Sequence, residues 1–422
     1  MIHQQEKTRT AILHYTAPPV IGGVEGVIQA HCQVFQQFGY PIAVIAGRGD
    51  ASDLASGTEF HEIKELDTQH PQVLEISAAL EEGQIPDAFE AFTGQLEKIL
   101  TPILSQYDNL ILHNVLTKHF NIPLSAALFR LLENGVIQNC IAWCHDFTWT
   151  SPNSRSKVHP GFPWDLLRKY DPRIKYVTVS QARQITLARL FGQPQEIVKV
   201  IYNGVDPQVL LGLSAEGTAL IERLALLESD LILLMPVRVT KAKNIEYALE
   251  LVAALKQKGI CPKLVHTGPP DPHSDQSISY FKKLQALRST LNLDNEMHFV
   301  YESGPKSGEL YQIDLSVVGD LYRISDVMLM PSHREGFGMP VLEAGLVGIP
   351  AICTPDVPAA IEIGGEDVII FNTDQDPSYL ADRMIAWMQS DSQFRFRQRV
   401  RSRYTWQAIF KQEILPILEN PI

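Results

Sequence analysis

The chain repeats one pattern twice: short apolar runs of five to eight residues, separated by stretches long enough to form a helix. The first set of runs is TAILHY (10–15), IAVIAG (42–47), NLILHN (109–114), CIAWCH (140–145), KYVTVS (175–180) and KVIYNG (199–204). The second set is DLILLMPVR (230–238), KLVHTG (263–268), MHFVY (297–301), DVMLMPS (326–332), PAICT (350–354) and DVIIFN (367–372). Runs that are apolar on both faces are typical of parallel strands covered by helices. The pattern predicts an α/β fold that occurs twice.

The length of 422 residues supports two domains, because one compact core rarely grows that large. The turn-rich stretch NGVDPQVLLGLSAEG separates the two sets of runs. We therefore expect a first domain over 1–205, a second over 206–390, and terminal amphipathic helices over 391–422 that pack on a domain already built.

Charge and hydropathy exclude several classes of partner. A net charge of -12 argues against a nucleic-acid surface, and no apolar run is long enough to span a bilayer. The N-terminal residues lack the pattern of a secretory signal, so a cytoplasmic location is expected. The five cysteines have no zinc-type spacing and are interpreted as reduced core residues. A homo-oligomer is left open.

Polar residues follow several predicted strands of the first half, where open α/β sheets bind ligands. Gly22 and Gly23 precede a predicted helix whose first amides would face an anion, and the alternative, which these residues alone favour, is a tight strand-to-helix turn without a ligand. The turn lacks the GxGxxG fingerprint, which disfavours a dehydrogenase. Further candidates are His113, Asn114, His145 and Asp146, for which a satisfied core or surface role is the alternative.

In the second half, Arg238 and Lys243 flank a strand-to-helix loop and would neutralise a diphosphate, unless they are only solvated surface cations. Gly268 ends another strand in a rigid loop. The stretch SHREGFGMPVLEAG then predicts a loop followed by a helix that begins near Pro340. Its two glutamates, Glu335 and Glu343, lie eight positions apart and do not suit a glycosidase acid/base pair. The triplet of residues 374–376 is better explained by helix capping than by a metal, and no metal site is predicted.

Together these residues resemble the retaining GT-B glycosyltransferases of family 4, along nearly the whole chain. PSHREGFGMPVLEAGLVGIPAI is close to the family's PSxxEGFGxxxxEAxAxGxPVI. GGVE (22–25), HD (145–146), NGVD (203–206), the R(x)4K spacing (238–243) and DLYRISDVMLMPS (320–332) follow in the family's order. The resemblance implies two Rossmann-like, doubly wound domains that face each other across a cleft, the first mainly for the acceptor and the second for a nucleotide-sugar. One departure is Pro236, which stands where many relatives have glycine.

The resemblance also implies roles for individual residues. Arg238 and Lys243 would bind the donor diphosphate, Glu335 the hydroxyls of the transferred sugar, and Glu343 the ribose. His145 would lie beside the anomeric carbon. The other residues that we expect to contact the nucleotide-sugar donor are Gly22, Gly23, Gly268, Gly336, Phe337 and Gly338.

The reaction implied is hexosyl transfer with retention, by front-face attack and without a metal or other cofactor. The acceptor is expected to be a small soluble sugar or glycerate-like acid, in contact with His113, Asn114 and Asp146. Trp149, Arg155 and Lys157 of the long 146–173 segment are further acceptor candidates, with solvated loop residues as the alternative. A membrane-surface transferase and a non-catalytic nucleotide-sugar-binding protein remain as alternatives.

Overall fold

The computed structural model describes residues 7–271, 273–306 and 309–420. By their internal contacts the residues form two compact units, here called unit 1 (Met1–Gly204 with Trp406–Ile422) and unit 2 (Val205–Thr405). Each unit is built around one parallel sheet with helices packed on it. The predicted α/β class with two parallel-sheet domains is confirmed.

The unit 1 sheet has seven strands within the described residues, in the order β3-β2-β1-β4-β5-β6-β7. The strands are β1 Thr10–His14, β2 Ile42–Ala46, β3 Glu59–Glu62, β4 Asn109–His113, β5 Asn139–Cys144, β6 Ile174–Thr178 and β7 Val198–Val200. From β1 the chain runs outward to β3 and then returns to place β4 on the other side of β1. The carboxyl ends of β1 and β4 therefore border the crevice where such sheets bind ligands.

The helices of unit 1 cover both faces of its sheet. They are α1 Gly23–Gln37, α2 Pro71–Glu81, α3 Ala88–Leu104, α4 Ile122–Glu133 and α5 Gln181–Phe191, followed after unit 2 by α14 Trp406–Ile409 and α15 Leu415–Glu419. Helix α1 buries Val27, Ile28 and Phe35 at helical spacing and ends before Gly39, whose φ of 68° suits a glycine C-terminal cap. Phe35 packs against Phe410, which lies between α14 and α15, at 5.0 Å between ring centres.

The sheet of unit 2 repeats the same order over six strands within the described residues, β10-β9-β8-β11-β12-β13. The strands are β8 Leu231–Met235, β9 Pro262–His266, β10 Met297–Phe299, β11 Val327–Met330, β12 Ala351–Cys353 and β13 Ile369–Ile370. Here β8 and β11 occupy the positions of β1 and β4, so their carboxyl ends border the equivalent crevice.

Eight helices of unit 2 lie in the described residues. They are α6 Pro207–Leu211, α7 Ala215–Arg223, α8 Ile245–Gln257, α9 Asp275–Thr290, α10 Leu315–Ile324, α11 Met339–Val347, α12 Pro377–Ser390 and α13 Ser392–Arg403. Helix α8 ends before Gly259, as its sequence predicts, with a φ of 84° at that glycine. Helix α12 is capped by Asp376, which accepts a hydrogen bond from the amide of Ser378 at 2.7 Å. This contact confirms the prediction that the 374–376 triplet caps a helix.

Three details differ from the sequence-based expectations. Strand β3, EFHE, is polar and partly exposed at the sheet edge, so it lacks the apolar run that marks the other strands. The terminal segment 391–422 is divided, because α13 belongs to unit 2 while the chain from Trp406 onward belongs to unit 1. Cys261 is exposed, whereas the other four cysteines are buried as expected. No helix in the described ranges is long and apolar enough to cross a membrane.

Candidate functional site

Three histidines meet at the carboxyl edge of the unit 1 sheet. His14 ends β1, His113 ends β4 and His145 directly follows β5. Nδ1 of His14 lies 2.7 Å from the carbonyl oxygen of His113, so this nitrogen carries the hydrogen and donates it. Nδ1 of His113 lies 3.0 Å from Nε2 of His145, and these two nitrogens share one hydrogen. The ends of three strands are thereby linked through imidazole rings.

Burial keeps this histidine chain uncharged. Desolvation, followed by the neighbouring His14, lowers the pKa of His145 to about 4. The pKa of His113 is held well below its usual value by burial and by the other histidines. His113 has no exposed surface, because the sheet and His145 enclose it, and its contact with an acceptor stays a prediction.

Asn114 organises the loop after β5. Its φ of 61° is left-handed, a conformation that asparagine tolerates better than most residues. Its Oδ1 accepts hydrogen bonds from the amides of His145 (2.7 Å) and Asp146 (3.1 Å). The Asp146 carboxylate is exposed and already pairs with Arg183 at 2.7 Å. Asn114 therefore positions His145, while the Asp146 side chain is paired within the protein.

The glycine turn before α1 is occupied by a carboxylate from its own helix. A Cβ on Gly22 would lie 2.1 Å from Oε2 of Glu25, whereas a Cβ on Gly23 would meet nothing within 4 Å. Oε1 of Glu25 accepts a hydrogen bond from the hydroxyl of Thr16 and lies 3.9 Å from Nε2 of His14. The structure thus places a buried negative charge at the turn that was predicted to approach phosphates.

The long segment after β5 folds onto unit 1. Trp149 is only 6% exposed and donates its indole N–H to the carbonyl of Trp164 at 3.2 Å. Arg155 and Arg168 lie over the Trp149 ring, at 4.5 and 3.8 Å from the ring centre. In this structure the Trp149 ring is therefore enclosed by protein, and its stacking on a sugar stays a prediction. Arg155 donates to the carbonyl of Val158 at 3.1 Å.

A pocket of about 430 Å³ opens in unit 1 beside the histidine chain. Two of the predicted acceptor residues, Asn114 and Lys157, line it, together with His14 and Glu25. The other predicted acceptor residues do not line it. Its more exposed lining residues include Leu74 and Phe120. This size falls in the range of pockets that hold small molecules.

In unit 2 the loop after β8 exposes Arg238 to solvent. Val237 and Val239 on either side are buried, so the backbone is anchored while the guanidinium is exposed. Gly268 packs directly under this loop, because a Cβ there would lie 2.2 Å from the carbonyl oxygen of Val237. The glycine was expected to let a ligand approach the backbone, but what approaches it here is the loop that carries Arg238.

Lys243 and Glu335 form an ion pair between the two loops of unit 2 that follow β8 and β11. Their side chains are only 17% and 14% exposed, so the pair is largely shielded from water. The amide of His333 also donates to the carbonyl of Ala242 at 2.8 Å, which ties the same two loops together. The sequence placed both residues at one site but did not predict that they would neutralise each other.

The loop before α11 presents unpaired backbone amides. Among the described residues, the amides of Gly336, Phe337 and Gly338 have no acceptor within the protein. Gly338 has a φ of 101° and caps α11 without a side-chain hydrogen bond. The carbonyl of Phe337 accepts from the amide of Ala359 at 2.8 Å, which fixes the loop. A fixed helix start with free N–H groups favours a negatively charged ligand.

Glu343 lies one turn into α11 and is oriented by a tyrosine. The buried hydroxyl of Tyr322 donates to Oε2 of Glu343 at 2.6 Å. Burial and the neighbouring carboxylate both raise the pKa of Tyr322, so the phenol keeps its hydrogen. One oxygen of the exposed Glu343 carboxylate is thus held, and the other is available to accept a hydroxyl.

No group of three or more histidine, cysteine or acidic side chains in the described ranges is arranged to hold a metal ion. The cations and amides of unit 2 are the groups that the structure offers to an anion.

Three contributing residues were missed from the sequence. Glu25 stands in the quoted GGVE and Tyr322 in the quoted DLYRISD, so the signal was present but was assigned to the glycines and to the strand. Phe120, in KHFN, carries no sequence signal that separates it from a core aromatic residue.

These features make unit 2 a Rossmann-like domain with a candidate anion site at its switch point. Residues 218–403 match the family Glycosyl transferases group 1, and this range lies within unit 2. Unit 2 therefore contains a group 1 glycosyltransferase domain, a class that uses nucleotide-sugar donors.

Similar proteins extend the match beyond that domain. A mannosylglucosylglycerate synthase of Thermotoga maritima is 22% identical over 364 residues, which cover 80% of this chain and 78% of that protein. An uncharacterized glycosyltransferase of Methanocaldococcus jannaschii is 27% identical over 250 residues, 56% of this chain, and the match spans 58% of that relative's length. The sucrose-phosphate synthase structure from Thermosynechococcus elongatus aligns over 97% of this chain and 98% of its own, at 17% identity and a TM-score of 0.38.

Proposed function

We propose that the chain is a retaining hexosyltransferase that moves a hexose from a nucleoside-diphosphate sugar to a hydroxyl of a small acceptor. The carrying observation is the set of groups on unit 2 that can bind an anion, the exposed Arg238 and the free amides before α11, together with Lys243 in its ion pair with Glu335. Their presence in a group 1 glycosyltransferase domain supports a diphosphate as the anion.

The residues of unit 2 have distinct proposed roles. Arg238 and Lys243 stabilise the charge that develops on the diphosphate as the bond to the anomeric carbon breaks. Glu335, held by Lys243, accepts hydroxyls of the transferred sugar, and Glu343, held by Tyr322, accepts the ribose hydroxyls. The acceptor oxygen forms the new bond and gives its proton to the departing phosphate. That Gly22, Gly23 and His145 also contact the donor remains a prediction.

The proposed acceptor is a sugar or glycerate-like acid. Two relatives carry the name mannosylglucosylglycerate synthase, and the unit 1 pocket has the size for a small molecule. We also propose that the reaction needs no metal and that the protein works in the cytoplasm. Chelation with EDTA should then leave the rate unchanged.

Turnover with a panel of donors and acceptors tests the proposal. The nucleotide of the donor is identified first, by measuring which of UDP, GDP and ADP raises the melting temperature. A nucleotide at 100 times its Kd should stabilise the folded protein by about 2.7 kcal/mol. Product formation that is lost in Arg238→Ala and Glu335→Ala supports the enzyme, and the anomeric configuration of the product by NMR tests retention. Nucleotide-sugar binding without turnover would favour a non-catalytic binding protein.

A further inference from the structure

The pocket of unit 1 contains an exposed aromatic ring that is held in place from several sides. Phe120 is 41% exposed and lies in the short turn before α4. The next residue, Asn121, caps α4 by accepting from the amide of Leu124 at 3.2 Å and donates to the carbonyl of Glu65 at 3.1 Å. The ring meets Tyr15 edge-on at 5.8 Å between centres. A large apolar surface is thus presented to the pocket on a rigid support.

Beside this ring stands a carboxylate with one free oxygen. Oε1 of Glu81 accepts from Nζ of Lys157 at 2.9 Å and lies 3.9 Å from Nε2 of His119. Both contacts use Oε1, and Oε2 accepts no hydrogen bond from the described residues of the chain. A carboxylate oriented through one oxygen is suited to accept hydrogen bonds from hydroxyls through the other.

The charges of the pocket do not favour an anion. The carboxylates of Glu25 and Glu81 and the ammonium of Lys157 line the pocket, and Lys118 lies 5.0 Å from the centre of the Phe120 ring. Two negative groups therefore balance two positive ones. Burial lowers the pKa of His119 to about 4, so this residue adds no charge at neutral pH. A phosphate or carboxylate would meet no surplus of positive charge here.

We propose that this pocket binds an uncharged sugar ring of the acceptor, with its C–H face against Phe120 and a hydroxyl on Oε2 of Glu81. The inference rests on the proposed transferase function, which it deepens by assigning Phe120 and Glu81 to acceptor specificity. It also changes the role expected of Lys157, which orients Glu81 instead of holding an acidic acceptor. An apolar surface with a few fixed polar groups is the usual composition of a small-molecule site.

The test compares Phe120→Ala and Glu81→Gln with Phe162→Ala, a matched control because Phe162 is an exposed phenylalanine of unit 1 that does not line this pocket. We expect each pocket variant to raise the KM for a neutral methyl glycoside acceptor by about tenfold, a change of one decade in affinity. The KM for the donor and the thermal shift with nucleoside diphosphate should not change. The control should match wild type throughout.

Calorimetric titration of the wild-type protein with methyl glycosides, the corresponding uronic acids and sugar phosphates separates this inference from the proposed function. Binding of the neutral sugar, weakened in Phe120→Ala, supports the pocket assignment even if no turnover is found. Tighter binding of the uronic acid or phosphate, lost in Lys157→Ala, would overturn it. Equal KM values for the neutral acceptor in Phe120→Ala and in the control Phe162→Ala would also overturn the inference.

Discussion

Units 1 and 2 share one sheet order yet carry opposite chemistry at the same edge. In both, the chain runs outward from a central strand and returns to its other side. The edge of unit 1 holds neutral histidines and a buried carboxylate, whereas the edge of unit 2 holds Arg238, Lys243 and free amides. The loops that follow the strands, and not the scaffold, therefore decide what each unit can bind.

The two glycine turns make the difference concrete. Both lead from a strand into a helix, and both were expected to face an anion. At Gly22 the carboxylate of Glu25 fills the space at the turn. At Gly336 to Gly338 no acidic side chain of the described residues takes the amides, because Glu335 is turned to Lys243. An anion is therefore favoured on unit 2 and disfavoured on unit 1.

The largest effect is expected for Lys243→Ala. This change removes a cation from the proposed diphosphate site and leaves Glu335 without its partner, so kcat/KM should fall by about 10²–10³, the range seen when one group that stabilises developing charge is lost. Lys241→Ala is the matched control, since Lys241 is exposed in the same turn and its ammonium has no hydrogen-bond or ion-pair partner among the described residues.

Steady-state kinetics of the two variants, with the melting temperature as a check on folding, decide the outcome. Equal losses in Lys241→Ala and Lys243→Ala would mean that only the overall charge matters. The contrast between an anion site on unit 2 and a neutral edge on unit 1 would then lose its main support.

The second prediction compares the glycine turns by stability. Gly338→Ala forces a φ of 101° on alanine and brings its Cβ to 2.5 Å from Cγ1 of Val357, which should cost about 2 kcal/mol and lower the melting temperature of unit 2 by roughly 4–8 °C. Gly336→Ala meets nothing within 4 Å and should be neutral. Gly22→Ala meets only a side chain that can move, so its cost should be intermediate. Calorimetry that ranks Gly22→Ala as the worst would show that the Glu25 carboxylate cannot move.

The third prediction concerns acid stability and unit 1. Burial and the nearby His145 lower the pKa of His31 to about 3. Between the unfolded value near 6.5 and this folded value the unfolded chain binds more protons, so stability falls as pH falls, by about 1.4 kcal/mol per pH unit for such a group. His31→Phe should reduce this loss, because its surroundings, Trp143, Trp406 and His113, accept a ring.

Denaturant unfolding at pH 7, 6 and 5 measures the effect, with His273→Phe as the exposed-histidine control. An unchanged pH dependence of stability in His31→Phe would mean that the folded protein does not hold His31 uncharged, and burial of this ring would then not cause the acid sensitivity of unit 1.

The sequence predicted the two parallel sheets because buried strands of such sheets must be apolar on both faces. It also predicted Arg238, Lys243, Glu335 and Glu343 as one group, since each follows a strand of the same half. It did not predict the burial of Trp149, because an aromatic residue in a long loop gives no sign of whether neighbouring arginines will cover it. It failed for Glu25 and Tyr322 because their roles depend on contacts with Thr16 and Glu343 that no local pattern encodes.

The smallest effect is expected for Tyr322→Phe, which removes the hydrogen bond that orients Glu343. Since such a bond contributes about 0.5–1.5 kcal/mol, the KM for the donor should rise roughly two- to tenfold. The value of kcat should not change, because ribose contacts are equally strong in the ground state and the transition state. Tyr311→Phe is the control: its hydroxyl donates to Glu216 at 2.7 Å, so it loses a comparable bond elsewhere on unit 2. A fall in kcat at constant KM would instead place Glu343 beside a group whose charge changes during the reaction, and the division of roles between Glu343 and Arg238 would have to be reversed.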